Sequence, residues 1–286
     1  MKPASLDAPG LLRRYGLRPD KSLGQNFLID EAALQKVVAA AAIHPGDAVL
    51  EIGPGLGGLT RWLAIQAHRV VAVELDADLI APLAEIVAPY PNVRIVQGDI
   101  LALDPESLML ETGSGKVPYL VVANIPYYIT SALIRHLLEA SHPPQRLVLT
   151  VQREVAERIC AQAGKLSLLA LSVQVYGRPG IAAMIPASAF YPSPKIDSAV
   201  VRIDRYDHPL IPSSQLGLFF RLARAGFSQK RKTLRNSLSA GLHWSVGQAE
   251  ETLRAAGIDP MRRAETLSLS EWANLTQTIA RSTPQQ

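Results

Sequence analysis

The chain has 286 residues, 48% of them hydrophobic and 19% charged, with a net charge of +4. That length allows one large domain or two smaller ones, and the composition excludes wholesale disorder. One cysteine, Cys160, excludes a disulfide framework and any multi-cysteine metal site, and points to a reducing compartment. No apolar run approaches the roughly 18–20 residues that span a bilayer. Val37 to Ile43, among the longest, has seven. The opening MKPASLDAPG is too polar for a secretory signal, so a cytoplasmic protein without membrane contact is expected.

Along the chain, short β-rich runs fall at Ala48–Ile52, Val70–Glu74, Val93–Gln97, Tyr119–Ala123 and Leu147–Val151. Each is bounded by Gly, Pro, Asp or Asn. Stretches of helical length lie between them at Gly57–Ala67, Asp76–Val87 and Ser131–Glu139. This alternation predicts parallel strands with right-handed crossovers, an α/β sheet with helices on both faces. The continuously apolar VVAVE and YLVVA fit strands buried on both sides. Cys160 follows a helical stretch and reads as a core thiol. Ser198–Ile203 reads as a further strand. After Arg205 comes a polar, proline-containing linker, and from Leu216 onward the pattern is helical. Ser245 with Gln248, and Ser268 with Glu271, form capping boxes, and Gly257 is a helix stop. A small all-α domain is therefore expected at 207–286, behind a larger domain at 1–206.

The first strand runs into Glu51-Ile-Gly-Pro-Gly-Leu-Gly-Gly58, a turn in which glycines let a ligand approach the backbone. Ligands of open α/β sheets bind at the carboxyl ends of the strands. Gly53, Gly55 and Gly58 fit the dinucleotide pattern, so a nicotinamide enzyme must be weighed. Pro54 removes a donor that a pyrophosphate would use, whereas S-adenosylmethionine carries no phosphate. At the end of the second strand Glu74 can accept from ribose hydroxyls, and Asp76 sits where a helix N-cap would be. At the end of the third, Asp99 can accept from an adenine amine or close an Asx-turn. Glu51 could hold the cofactor's ammonium or a nearby basic group, or simply end the strand.

The fourth strand ends in Asn124-Ile125-Pro126-Tyr127, a variant of the amino-methyltransferase motif of Asn, Asp or Ser, two prolines and Tyr or Phe, with Ile in place of the first proline. The exocyclic nitrogen of adenine is a poor nucleophile because its lone pair is delocalised into the ring. Two acceptors, the Asn124 side-chain oxygen and the Ile125 carbonyl, can take its hydrogens and turn the lone pair toward a methyl carbon. Pro126 stiffens the turn and restricts Ile125 to an extended backbone. Tyr127 offers a face on which a base stacks, worth roughly 1–3 kcal/mol.

Taken together, several segments resemble the ribosomal RNA adenine N6,N6-dimethyltransferases. They are Lys21-Ser-Leu-Gly-Gln-Asn-Phe-Leu28, Glu51–Gly55, Glu74, Asp99, Asn124–Tyr127, Phe190-Tyr-Pro-Ser-Pro-Lys-Ile-Asp-Ser-Ala-Val200 and Phe227-Ser-Gln-Lys-Arg-Lys-Thr-Leu-Arg-Asn-Ser-Leu238. The resemblance implies a Rossmann-like class I methyltransferase sheet with a small helical domain. The implied activity is dimethylation of two adjacent adenosines near the 3′ end of small-subunit ribosomal RNA. It further implies that Asn26 and Leu28 line an S-adenosylmethionine pocket with Gly53, Glu74, Asp99 and Asn124. Gln25 and Gly55 belong to the same segments. Phe190 is implied to stack on the target adenine opposite Tyr127, around a base taken out of its helix. Tyr128 and Ile125 depart from residues common in the family, without altering the acceptor geometry, since Ile125 contributes only its backbone carbonyl.

Arg221, Arg224, Lys230, Arg231, Lys232 and Arg235 place six cations in fifteen residues with no acid among them. Such a run is often only a solvated face. Beside an RNA-modifying site it predicts phosphate contact. Arg13, Arg14, Arg18 and Lys21 add a second basic segment. The six histidines have no metal-binding spacing, so no metal is expected. The implied partner is small-subunit ribosomal RNA or an immature small subunit, met by a monomer. Alternatives are an adenine methylase of large-subunit RNA or DNA, a non-catalytic assembly or transcription factor on the same fold, and, more distantly, a nicotinamide dehydrogenase.

Overall fold

A computed structural model describes residues 2–110, 118–126 and 129–282. In chain order these form α1 (Ala8–Arg14), β1 (Phe27–Leu28), α2 (Glu31–Ala41), β2 (Ala48–Ile52), α3 (Gly58–Gln66), β3 (Arg69–Glu74), α4 (Ile80–Val87) and β4 (Val93–Gln97). Next come α5 (Pro105–Met109), β5 (Tyr119–Asn124), α6 (Thr130–Leu138), β6 (Arg146–Gln152), α7 (Arg153–Ile159), α8 (Leu168–Gln174), β7 (Gly177–Ile185), β8 (Phe190–Tyr191) and β9 (Ser198–Arg205). Four helices close the chain: α9 (Ser213–Phe227), α10 (Leu234–Leu242), α11 (Val246–Ala255) and α12 (Leu269–Ser282).

Seven strands form one sheet in the order β4-β3-β2-β5-β6-β9-β7. The five strands from β4 to β6 are parallel, and β9 returns antiparallel beside β6. The apolar runs form strands because both faces of the sheet are covered. Val49, Leu120, Val122, Val148 and Val200 pack against Leu34, Val37 and Val38 of α2 and Trp62 and Leu63 of α3. Burying each such side chain contributes about 1.5–3 kcal/mol. Asp30 caps α2, its Oδ1 accepting from the Ala33 amide at 2.7 Å. The chain order reverses between β2 and β5, so the loops after Ile52 and Asn124 diverge there and open a crevice at the carboxyl ends.

Two compact units emerge, Met1–Ala156 with Pro179–Arg205, and Glu157–Arg178 with Tyr206–Gln286. The second includes Glu157–Arg178, which the sequence pattern alone places in the first. Non-local contacts explain the difference. The amides of Gly164 and Leu166 donate to the Glu265 carbonyl, and that of Tyr206 donates to Tyr176, whose ring stacks on Phe220 with centroids 6.3 Å apart. Cys160 is only half-buried and lies just past the end of α7, so it is not the core thiol expected.

Within the second unit both expected cap positions act as caps. Ser245 Oγ accepts from the Gln248 amide at 3.1 Å. Ser268 and Glu271 bond reciprocally, the Ser268 amide to the Glu271 carboxylate at 2.7 Å and the Glu271 amide to Ser268 Oγ at 3.2 Å. Gly257, at φ +70°, ends α11: its amide donates to Arg254 and that of Ile258 to Leu253, both at 2.9 Å.

Candidate active site

A cavity of about 230 Å³ lies at the crevice between β2 and β5. Its walls include Gln25, Asn26, Gly53, Gly55, Glu74, Asp99, Asn124, Ile125 and Pro126, so nine of the residues singled out in the sequence converge on one space. They come from four strand ends and from the segment preceding β1. Tyr127 lies outside the described residues.

The glycine-rich turn is shaped by left-handed backbone at Gly53 (φ +67°) and Gly55 (φ +58°). A Cβ on Gly55 would sit 2.9 Å from the Phe27 ring, and one on Gly53 3.7 Å from the Asn124 carbonyl oxygen. Three amides of this turn already have partners. Gly53 donates to the Val73 carbonyl, Gly55 to Glu74 Oε2, and Gly57 to the Pro54 carbonyl, at 2.9–3.0 Å. With Pro54 lacking an N–H, the turn offers little to a pyrophosphate. It suits a cofactor recognised by its ribose and base instead.

Glu74 ends β3 and is 6% exposed. Its Oε2 accepts from Gly55 and its Oε1 from the Asp76 amide, each at 2.9 Å. Burial raises its carboxyl above the ordinary range, and the two amides partly offset this. Each oxygen keeps a lone pair for a diol. Asp76 caps a short 3-10 turn, its Oδ1 accepting from the Asp78 amide at 3.0 Å. Asp99 closes an Asx-turn with the Leu101 amide at 2.9 Å and also lines the cavity.

The Asn124 amide is oriented by one bond. Its Nδ2 donates to the Asn26 carbonyl at 3.0 Å. A carbonyl can only accept, so the nitrogen must face Asn26 and Oδ1 stays available as an acceptor. Asn26 is in turn held by its own Nδ2 on the Gly24 carbonyl at 3.0 Å. Ile125 is buried and its neighbour Pro126 fixes the turn.

Three expected residues lie elsewhere. Leu28 and Glu51 line a smaller cavity of about 30 Å³, which also reaches Gly53 and Asn124. Glu51 is 1% exposed, and its Oε2 has no hydrogen-bond partner among the described residues. Burial, reinforced by the nearby Glu74, pushes its carboxyl up to about 8, with the Thr60 hydroxyl pulling the other way. Phe190 is 3% exposed in the core cluster and pairs with Leu28 across the β1–β8 ladder. Stacking on a base would need its ring to leave that cluster; the neighbouring Tyr191 points outward instead. Sequence reasoning missed Leu75, Ile100 and Leu101 on the cavity wall. The signal was available: an apolar residue directly follows each strand-end acid, where a flat base needs a face.

In the second unit Arg221 and Arg224 lie one turn apart on α9 and are exposed, as are Lys230, Arg231 and Lys232 in the turn before α10. Arg235 differs, being half-buried with Nη1 on Glu250 at 3.0 Å, a pairing that competes with any phosphate. In the first unit Arg14 is likewise paired, with Glu85. Among the described residues no group of metal-ligating side chains is found, and no helix is long and apolar enough to cross a membrane.

Residues 17–281 match the family model described as ribosomal RNA adenine dimethylase. The chain is 47% identical over 268 residues to the ribosomal RNA small subunit methyltransferase A of Dehalococcoides mccartyi, covering 94% of this chain and 91% of the relative. It is 44% identical over 285 residues to the protein of the same name from Moorella thermoacetica, covering 96% and 99%. Among solved structures, a dimethyladenosine transferase from Plasmodium falciparum superposes with a TM-score of 0.74 at 26% identity, covering 89% of this chain and 98% of that one. The 23S rRNA methyltransferase ErmE gives 0.71 at 27%, covering 89% and 100%.

Proposed function

The chain belongs to the ribosomal RNA adenine dimethylase family, and from that premise we propose that it transfers methyl groups from S-adenosylmethionine to N6 of two adjacent adenosines near the 3′ end of small-subunit ribosomal RNA. The observation that carries this is the Asn124 amide, locked by the Asn26 carbonyl with Oδ1 left as an acceptor beside Ile125 and Pro126.

The cavity fits the cofactor. Glu74 accepts from the ribose hydroxyls, Asp99 from the adenine amine, and Leu75 and Ile100 flank the base. The occupied amides of the glycine turn favour a phosphate-free ligand over a nicotinamide dinucleotide. When bound, S-adenosylmethionine supplies an electrophilic methyl group on a sulfonium. Asn124 Oδ1 and the Ile125 carbonyl accept the two amino hydrogens and aim the nitrogen lone pair. After one methylation a single N–H remains, and one acceptor suffices to hold it. The departing proton passes to water. Alignment rather than acid catalysis supplies most of the rate. Tyr127 stacks on the base.

Arg221, Arg224 and Lys230–Lys232 contact RNA phosphates, with Arg13, Arg18 and Lys21 guiding the target strand. The substrate is small-subunit ribosomal RNA, free or in an immature small subunit, met by a monomer in the cytoplasm. The fold alone does not choose the RNA, since a structure named as a 23S rRNA methyltransferase scores 0.71 and one whose name states no RNA target scores 0.74. The 47% identity to a small-subunit enzyme favours that target. Labelled S-adenosylmethionine offered to unmethylated small and large subunits tests it. Primer-extension stops at paired adenines of the small-subunit RNA are expected; stops confined to large-subunit RNA would refute it.

A further inference from the structure

Residues Asp20–Phe27 cross the cofactor cavity as a strap, and Leu23 to Phe27 line it. The strap is closed on itself by the Gln25 amide bonding to the Asp20 carbonyl at 3.1 Å and by Asp20 Oδ1 accepting from the Ser22 amide at 2.7 Å. The Gln25 side chain does something different. Its Oε1 accepts from the Asp20 amide at 2.8 Å, and its Nε2 donates to Asp76 Oδ2 at 2.6 Å. Each end of that side chain makes one such bond, and together the two fix its position on the cavity wall. Asp76 lies two residues after Glu74, and its amide donates to the Glu74 carboxylate. One residue beyond Gln25, the Asn26 carbonyl orients Asn124. Three hydrogen bonds and the short covalent links between them therefore connect Glu74 to the Asn124 amide.

We propose that Gln25 and Asp76 are positioning residues: their side-chain pair latches the strap over bound S-adenosylmethionine and, through the Asn26 carbonyl, holds the Asn124 amide in its accepting orientation. The inference rests on the cavity being the cofactor site. A carboxylate–amide hydrogen bond is of the stronger, charge-assisted kind. The second oxygen of Asp76 caps the 3-10 turn, so latch and cap can be separated by substitution.

Three variants of the full chain test the latch. Asp76→Asn keeps the capping oxygen but sets one amide donor against another. Gln25→Glu sets two carboxylates together. The double variant Gln25→Glu/Asp76→Asn exchanges the two roles and restores one carboxylate–amide bond. The readouts are stopped-flow dissociation of S-adenosylhomocysteine, hydrogen exchange of amides 21–26 without ligand, kcat and melting temperature. Each single variant is expected to release the ligand about ten-fold faster or more, to exchange faster only within the strap, and to lose kcat. The double variant should return to within about three-fold of wild type, at an unchanged melting temperature throughout. Wild-type dissociation and strap exchange in the single variants would overturn the proposal, as would a double variant that melts normally without recovering. Wild-type protein that binds no S-adenosylhomocysteine would count against the cofactor site instead, and the ligand-free exchange would still decide the latch.

Discussion

Replacing Asn124 with alanine removes the acceptor oxygen and leaves the Asn26 carbonyl without its donor. Two losses combine. A neutral hydrogen bond to the target amine contributes about 0.5–1.5 kcal/mol, up to roughly ten-fold. Loss of aim costs more: a displacement on the order of 1 Å at the reacting centre lowers a rate about 100-fold. Together they predict a fall of about 1,000-fold in the methyl-transfer step, or about 4 kcal/mol of barrier. Binding of S-adenosylhomocysteine should change by less than about ten-fold, because the contacts proposed for Glu74 and Asp99 lie at the ends of other strands. Single-turnover transfer of labelled methyl groups, with calorimetry for the product cofactor, separates the two quantities. A transfer rate within ten-fold of wild type would refute the acceptor argument.

Glu74→Ala removes the partner of two amides and the proposed ribose acceptor, so S-adenosylhomocysteine affinity should fall by about 100-fold or more in calorimetry. Neutralising Lys230, Arg231 and Lys232 together should reduce the salt slope of RNA binding by about two, at roughly 0.7 per phosphate contact on a single strand, with cofactor affinity unchanged. Glu51 has its folded pKa raised to about 8, so its contribution to stability is complete below its unfolded pKa and is lost as pH rises through the folded one. Glu51→Gln should therefore flatten the fall in urea stability between about pH 4.5 and 8, at up to about 1.4 kcal/mol per pH unit, and be the more stable protein at pH 8.

The strands that build the floor of the site were legible because Val70–Glu74 and Tyr119–Ala123 are buried on both faces and leave no polar alternation to misread. The strand-end residues Glu74, Asp99 and Asn124 were legible for a related reason, since ligands gather where parallel strands end. β7 was missed: Gly177-Arg-Pro-Gly180 carries two glycines and a proline, tolerable only on the outermost strand of the sheet. The two-residue ladder of β1 and β8 joins segments too far apart for any local pattern to register. That ladder also decides which ring is buried, turning Phe190 inward and Tyr191 out. Gln25 was legible as a residue of the cavity wall through the segment it shares with Asn26. Its bond to Asp76, 51 residues away, depends on how the strap folds back.

The most direct test is a structure of the protein with S-adenosylhomocysteine and a short RNA carrying the target adenosines. The account predicts the adenine N6 at hydrogen-bond distance, roughly 3 Å, from both Asn124 Oδ1 and the Ile125 carbonyl oxygen. An amine engaged by other groups, with the Asn124 side chain turned from the base, would contradict it.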